Sequence, residues 1–119
     1  MEGGSGMKKQ SISELQIEVH QNAVDHGWWE KEQDFGTLIA LCHSELSEAL
    51  EEVRKGLAVN ETYVSTHDGS LEGVPIELAD VVIRIMDMSE HYGIDLQSAI
   101  IQKHEYNKSR PFKHGGKQF

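Results

Sequence analysis

Two pairs of acidic residues stand out: Glu45-x-x-Glu48 in one apolar-periodic stretch and Glu77-x-x-Asp80 in another. Residues three apart share one face of a helix, about 4.5 Å apart along an axis that rises about 1.5 Å per residue. Helices that pack at about 8–10 Å can turn two such pairs toward one point between them. Four carboxylates converging there repel unless a cation neutralises them. Oxygen ligands without cysteine, and without histidine at fixed spacing, suit Mg²⁺ or Mn²⁺ rather than zinc. A plainer reading stands beside this one. Glu-x-x-Glu is common in an acidic chain and is often a solvated face. Asp80 and Glu77 also lie one and two turns from Arg84, so a structural ion pair explains the second pair as well as a metal does.

The elements that must position these residues are four helices. Ser13–His26 is expected first, capped by Ser11 or Ser13, with Ile12, Leu15, Val19 and Ala23 at helical spacing and Gly27 as the stop. Phe35–Lys55 follows, with Asp34 as N-cap, Gly56 beyond its last turn, and Leu38, Leu41, Cys42, Leu46, Ala49, Leu50 and Val53 recurring every three or four residues. Glu52 shares the acidic stripe of Glu45 and Glu48. Residues 56–74 read as a long loop, in which Tyr63 and Val64 suit a short strand or a turn. Pro75–Tyr92 has proline in its first turn and is apolar nearly all round, apart from the line Glu77, Asp80, Arg84, Asp87. Leu96–Lys108, capped by Asp95, ends before Arg110-Pro111, since proline pushes the residue before it out of helical geometry. The expected fold is all-α, a four-helix bundle-type subunit. The apolar girth of the third helix exceeds what one small bundle covers, which favours assembly of two or more copies.

The chain has 119 residues, 38% of them apolar and 26% charged, with a formal net charge of −9. That length fits one domain, residues 7–119, after Met1–Gly6 (MEGGSG), whose glycine-rich composition before a second methionine reads as a cloning scar. One cysteine rules out an internal disulfide, and Cys42 reads as a small core residue rather than a nucleophile. The acidic balance opposes a nucleic-acid-polymer partner. No apolar run is long enough to cross a membrane and no secretory leader opens the chain, so a soluble cytoplasmic protein without a membrane partner is expected. No Walker-type glycine loop, Rossmann fingerprint or Ser-His-Asp order is present.

Other residues offer chemistry with two readings each. Lys103, Asn107 and Arg110 fall along two turns at the end of the last helix. They are cationic and polar grips for phosphate, or a solvated end that complements the helix dipole. Trp28 and Trp29 are a stacking surface for a nucleobase or core residues. His20 and His26 can hydrogen-bond a base or sugar, or serve structure. Asp87 can contact a ribose or end the polar stripe. Lys113, His114 and Lys117 lie in a basic tail.

The order Glu45-x-x-Glu48, twenty-eight intervening residues, Glu77-x-x-Asp80, set in HSELSEALEEVRKG and VPIELADVVIRIMD and followed by KHEYNKSRPFKHGGK, resembles the MazG-like all-α nucleoside triphosphate pyrophosphohydrolases over most of residues 14–117. The resemblance implies a helical subunit assembling as a homodimer or homotetramer, with Glu45, Glu48, Glu77 and Asp80 as Mg²⁺ ligands and Lys103, Asn107 and Arg110 toward the phosphates. It implies hydrolysis of a (deoxy)nucleoside triphosphate to monophosphate and pyrophosphate, a pool-cleansing reaction. Glu48, central in its stripe, is the preferred base, with Glu45 the other catalytic candidate. Trp28, Trp29, His20 and Asp87 are the candidates for the base and sugar. Alternatives are a phosphoribosyl-ATP or dUTP pyrophosphohydrolase of the same superfamily, or a non-catalytic helical interaction module.

Overall fold

The computed structural model describes residues 9–111; the Met1–Gly6 leader and the tail holding Lys113, His114 and Lys117 lie outside them. Four helices run in order: α1 (Ile12–Asp25), α2 (Phe35–Arg54), α3 (Val74–His91) and α4 (Leu96–Ser109), with a hairpin of β1 (Tyr63–Val64) and β2 (Leu71–Glu72) between α2 and α3. α3 is the central element, packed against both α2 and α1, while α4 packs on α1.

Three helices begin at a side-chain cap, and α3 begins after Gly73 without one. Ser11 Oγ accepts the Glu14 N–H at 3.0 Å and Glu14 Oε1 accepts the Ser11 N–H at 2.8 Å, a reciprocal pair that satisfies two end donors. Asp34 accepts the Thr37 N–H and Asp95 the Ser98 N–H, each at 3.0 Å. Pro75 occupies the first turn of α3, where no hydrogen bond is lost. Arg110 is extended, as a residue preceding proline must be.

The two-stranded hairpin is the departure from a purely α fold. Tyr63 pairs with Glu72 and Val64 with Leu71, antiparallel. β-branched and aromatic residues at 63–64 favour extended backbone. The Ser65–Ser70 turn closes through Ser65 N–H to Ser70 O at 2.8 Å and through Asp68, which accepts from both Ser70 N–H and Ser70 Oγ. Gly73 joins hairpin to α3 at φ +121°, and a Cβ there would sit 2.3 Å from the Glu61 carbonyl oxygen, so the close crossing admits only glycine.

The core is thin. Leu38, Cys42 and Met88 are buried together, with Trp28, Trp29, Val81 and Ile85 packed around them. Much apolar surface stays in water: Leu46, Leu50 and Val53 on α2, Leu78, Val82 and Ile83 on α3, and Ile100 and Ile101 on α4. α4 buries none of its residues within the chain. Among the described residues no helix is long and apolar enough to cross a membrane.

Candidate metal centre and adjoining cleft

Glu45 and Glu48 lie one turn apart on α2, and α3 turns Glu77 toward them. One oxygen from each of the three carboxylates lies within 4.8 Å of the others. Glu77 is only 6% exposed and no hydrogen bond or ion pair reaches its side chain among the described residues. Its carboxyl is pushed up to about 7, first by burial and then by the charges of Glu48, Asp80, Glu45 and Glu72. Asp80 falls outside this 4.8 Å group. Its carboxyl is also raised, by burial and by Glu45, against the opposing pull of Arg84.

The ion pair formed by Arg84 goes across to α2 rather than along α3: its Nε donates to Glu45 Oε2 at 2.9 Å. The same guanidinium lies 5.5 Å from the ring centre of Trp28. Glu45 is thereby held in position, while Glu48 is exposed and carries no hydrogen bond or ion pair among the described residues.

Beside the carboxylates opens a cleft of about 630 Å³. α1 contributes Leu15, Glu18, Val19, Asn22 and Ala23; the turn after it contributes Trp28; α2 and α3 contribute Glu45, Asp80, Ile83, Arg84 and Asp87. Its size and its mix of apolar walls with a few polar groups are those of a small-molecule site. Glu45 belongs to both cleft and carboxylate group, so the two features form one continuous site.

The two tryptophans divide. Trp28 lines the cleft, whereas Trp29 is turned to the structure behind it. Its Nε1–H donates to Asp87 Oδ1 at 2.9 Å and its ring stacks on His91 at 3.8 Å between centroids. His20 Nδ1 reaches the same Asp87 oxygen at 2.7 Å, which a carboxylate accepts from the tautomer protonated there. Asp87, 8% exposed, is therefore a buried acceptor shared by two donors at the back of the cleft. His26 bonds the Asn22 carbonyl of its own helix, a cap contact.

Lys103, Asn107 and Arg110 do not line this cleft. Lys103 and Asn107 border a separate shallow depression with Ala99, Ile100 and His104, and Lys103 and Arg110 flank the Tyr106 ring at 4.8 and 5.6 Å.

The spacing of α2 and α3 did not point to Glu72. It arrives from β2 and, with Glu52 of α2, forms a second three-carboxylate group on Glu77, again within 4.8 Å. Glu52 carried a signal, since it continues the Glu45 and Glu48 stripe. Glu72 carried none, because hairpin register decides which side chain meets α3. Compared with protein-family models, with curated proteins and with solved structures, the chain matches none.

Proposed function

We propose that this chain is a MazG-like, divalent-metal-dependent hydrolase that splits a nucleoside triphosphate into monophosphate and pyrophosphate. The observation that carries the reading is the meeting of Glu45, Glu48 and the unpaired, buried Glu77 at the edge of a cleft large enough for a nucleoside. Glu45, Glu48 and Glu77 would hold Mg²⁺ or Mn²⁺, with Asp80 one turn beyond Glu77. The bound cation would offset the triphosphate's charge and lower the pKa of its water.

The chain's own residues have separable tasks. Arg84 fixes the Glu45 oxygen it binds. Glu48, lacking such a partner, is the carboxylate left to take a proton from the attacking water. Trp28, Leu15, Val19 and Ile83 give the cleft flat and apolar walls for a base, and Asn22 gives an amide that reads hydrogen-bonding edges. Asp87 closes the back with its oxygen already held by Trp29 and His20, so its role is to shape the cleft more than to bind a freely chosen ligand.

Lys103, Asn107 and Arg110 enter this reading through assembly. α4 leaves all its residues unburied within one chain, and α2 and α3 expose apolar rows. A homodimer or homotetramer covering those rows is part of the proposal, and it is what would carry α4 cations to a cleft.

The test is a panel of ribo- and deoxyribonucleoside triphosphates, with phosphoribosyl-ATP, incubated with Mg²⁺ or Mn²⁺ and resolved into monophosphate, diphosphate, phosphate and pyrophosphate. Pyrophosphate with monophosphate is expected, falling at least about 100-fold in Glu48→Gln. Absence of turnover by a folded protein across the panel refutes the reading and leaves a helical interaction module.

A further inference from the structure

Arg84 uses only part of its hydrogen-bonding capacity. A guanidinium carries five N–H donors in a planar fork. Nε donates to Glu45 Oε2 at 2.9 Å, and the terminal nitrogens meet no acceptor among the described residues. The side chain is 32% exposed and lines the cleft. Its position is fixed at two points, since Glu45 holds Nε and the guanidinium carbon stands 5.5 Å from the centre of the Trp28 ring. A planar fork held in this way has little freedom left to lose when a ligand arrives.

The charges around the fork define what it can take. Glu18, Glu45, Asp80 and Asp87 line the same cleft, and Arg84 is the one cation lining it among the described residues. An anion is therefore repelled along most of the polar wall and attracted at one place. Hydrogen bonds from a charged donor to an oxyanion are about twice as strong as those between neutral groups, and two parallel N–H groups match two phosphate oxygens. A neutral carbonyl on a base offers the fork less. Glu45 does not exhaust the guanidinium, because only Nε is bound to it. Glu45 Oε1 has no donor among the described residues and is the oxygen left for the cation of the proposed reading. That cation would take up the Glu45 charge and leave more of the Arg84 charge to the ligand.

We propose that Arg84 is the residue by which the cleft selects nucleotides over nucleosides. Its terminal nitrogens donate to the oxygens of the phosphate that adjoins the nucleoside, while Nε keeps Glu45 in place. Arg84 is thus a phosphate grip that one chain supplies by itself, whereas Lys103 and Arg110 lie away from the cleft. The identity of the ligand rests on the nucleotide reading; the contact rests on the geometry of Arg84 and does not require hydrolysis.

The experiment measures dissociation constants by isothermal titration calorimetry for the four deoxynucleosides and their 5′-monophosphates, with Mg²⁺ saturating each protein. The quantity read is the ratio of the nucleoside constant to the monophosphate constant for the base bound best. The monophosphate is expected to bind the unaltered protein at least about 10-fold more tightly than the nucleoside. In Arg84→Gln the ratio should fall about 10- to 100-fold, the range for hydrogen bonds to a charged group. Arg84→Lys keeps the charge and the stem but cannot hold Glu45 and a phosphate at once, so its ratio should fall at least about 3-fold. An Arg84 that acts only through Glu45 lowers Mg²⁺ affinity and leaves the ratio unchanged once Mg²⁺ saturates. An Arg84 that reads the base weakens nucleoside and monophosphate alike. An unchanged ratio therefore overturns the phosphate contact, and Arg84→Lys alone decides if Arg84→Gln does not fold. Absence of monophosphate binding by the folded, unaltered protein overturns it as well. A ratio lost in the variants with no triphosphate hydrolysed by the unaltered protein would overturn the proposed activity and keep this contact. Pyrophosphate release with an unchanged ratio would do the reverse.

Discussion

Replacing Glu77 by glutamine is expected to stabilise the metal-free protein and destabilise the metal-bound one. The sign follows from the carboxyl's displacement from 4.5 to about 7. Between those values the folded chain keeps a proton that the unfolded chain has released, so folding stability falls as pH rises through the window and the whole penalty is in place above it. Below pH 4.5 both states are protonated and the penalty vanishes. About two and a half pH units at about 1.4 kcal/mol each sets an upper bound of about 3–4 kcal/mol. Water entering beside exposed Glu48 screens part of this, leaving about 2 kcal/mol. Glutamine keeps the shape and removes the charge. With chelator at pH 8, Glu77→Gln should therefore melt roughly 8 °C higher than the unaltered protein, at about 4 °C per kcal/mol for a domain of this size. At pH 4 the two should melt together. Mg²⁺ at 100 times its dissociation constant adds about 2.7 kcal/mol to a protein that binds one ion only when folded. The unaltered protein should gain this and the variant should not, so the order of melting reverses. Thermal unfolding followed by circular dichroism, with chelator and with Mg²⁺ at both pH values, reads all four cases. A variant that melts lower than the unaltered protein in chelator at pH 8 would refute the reasoning, since Glu77 would then have a favourable partner in the fold.

Three further outcomes follow from particular contacts. Trp29→Phe keeps an aromatic ring on His91 but removes the donor to buried Asp87, so it should cost about 1–2 kcal/mol; an unchanged melting point would show that the bond contributes nothing. Gly73→Ala forces a Cβ against the Glu61 carbonyl at a left-handed φ and should cost at least about 2 kcal/mol, with proteolysis of residues 57–72 rising; equal stability and cleavage would mean that the crossing relaxes freely. Sedimentation at micromolar concentration should give a dimer or larger, and Val82→Lys with Ile101→Lys should shift it toward monomer; a monomer without the substitutions rules out the assembly.

The helices were legible because their signals are local. Ser11, Asp34 and Asp95 cap through their own side chains, and Gly27, Gly56 and Gly93 take the positive φ that ends a helix. The pairing of the Glu45–Glu48 stripe with Glu77 was legible for the same reason, since spacing along each helix fixes which residues share a face. What spacing cannot give is how one helix is rotated and slid against its neighbour. That rotation sends Arg84 to Glu45 rather than to Asp80. It also turns Trp28 toward the cleft while its neighbour Trp29 faces His91. Glu72 was illegible because two-residue strands carry too short an alternation to fix a register.

The polar line of α3 resolves into three environments along an otherwise apolar helix. Glu77, nearest the hairpin, is buried without a donor. Asp80 and Arg84, one and two turns on, border the cleft, with Arg84 reaching across to α2. Asp87, a further turn along, is equally buried but fully served by His20 and Trp29. Two acidic residues on the same helix, 6% and 8% exposed, thus differ in one respect: the second has its donors in the fold and the first does not. A chain with so thin a core has little stability to spare for an unserved charge. Aromatic and imidazole donors are abundant around Asp87, so the missing donor at Glu77 is a local choice of side chains, in keeping with a partner that comes from solution. In the proposed reading that asymmetry gives the site a direction, with the cation at the hairpin end of α3 and the nucleoside laid toward Trp28 and Asp87.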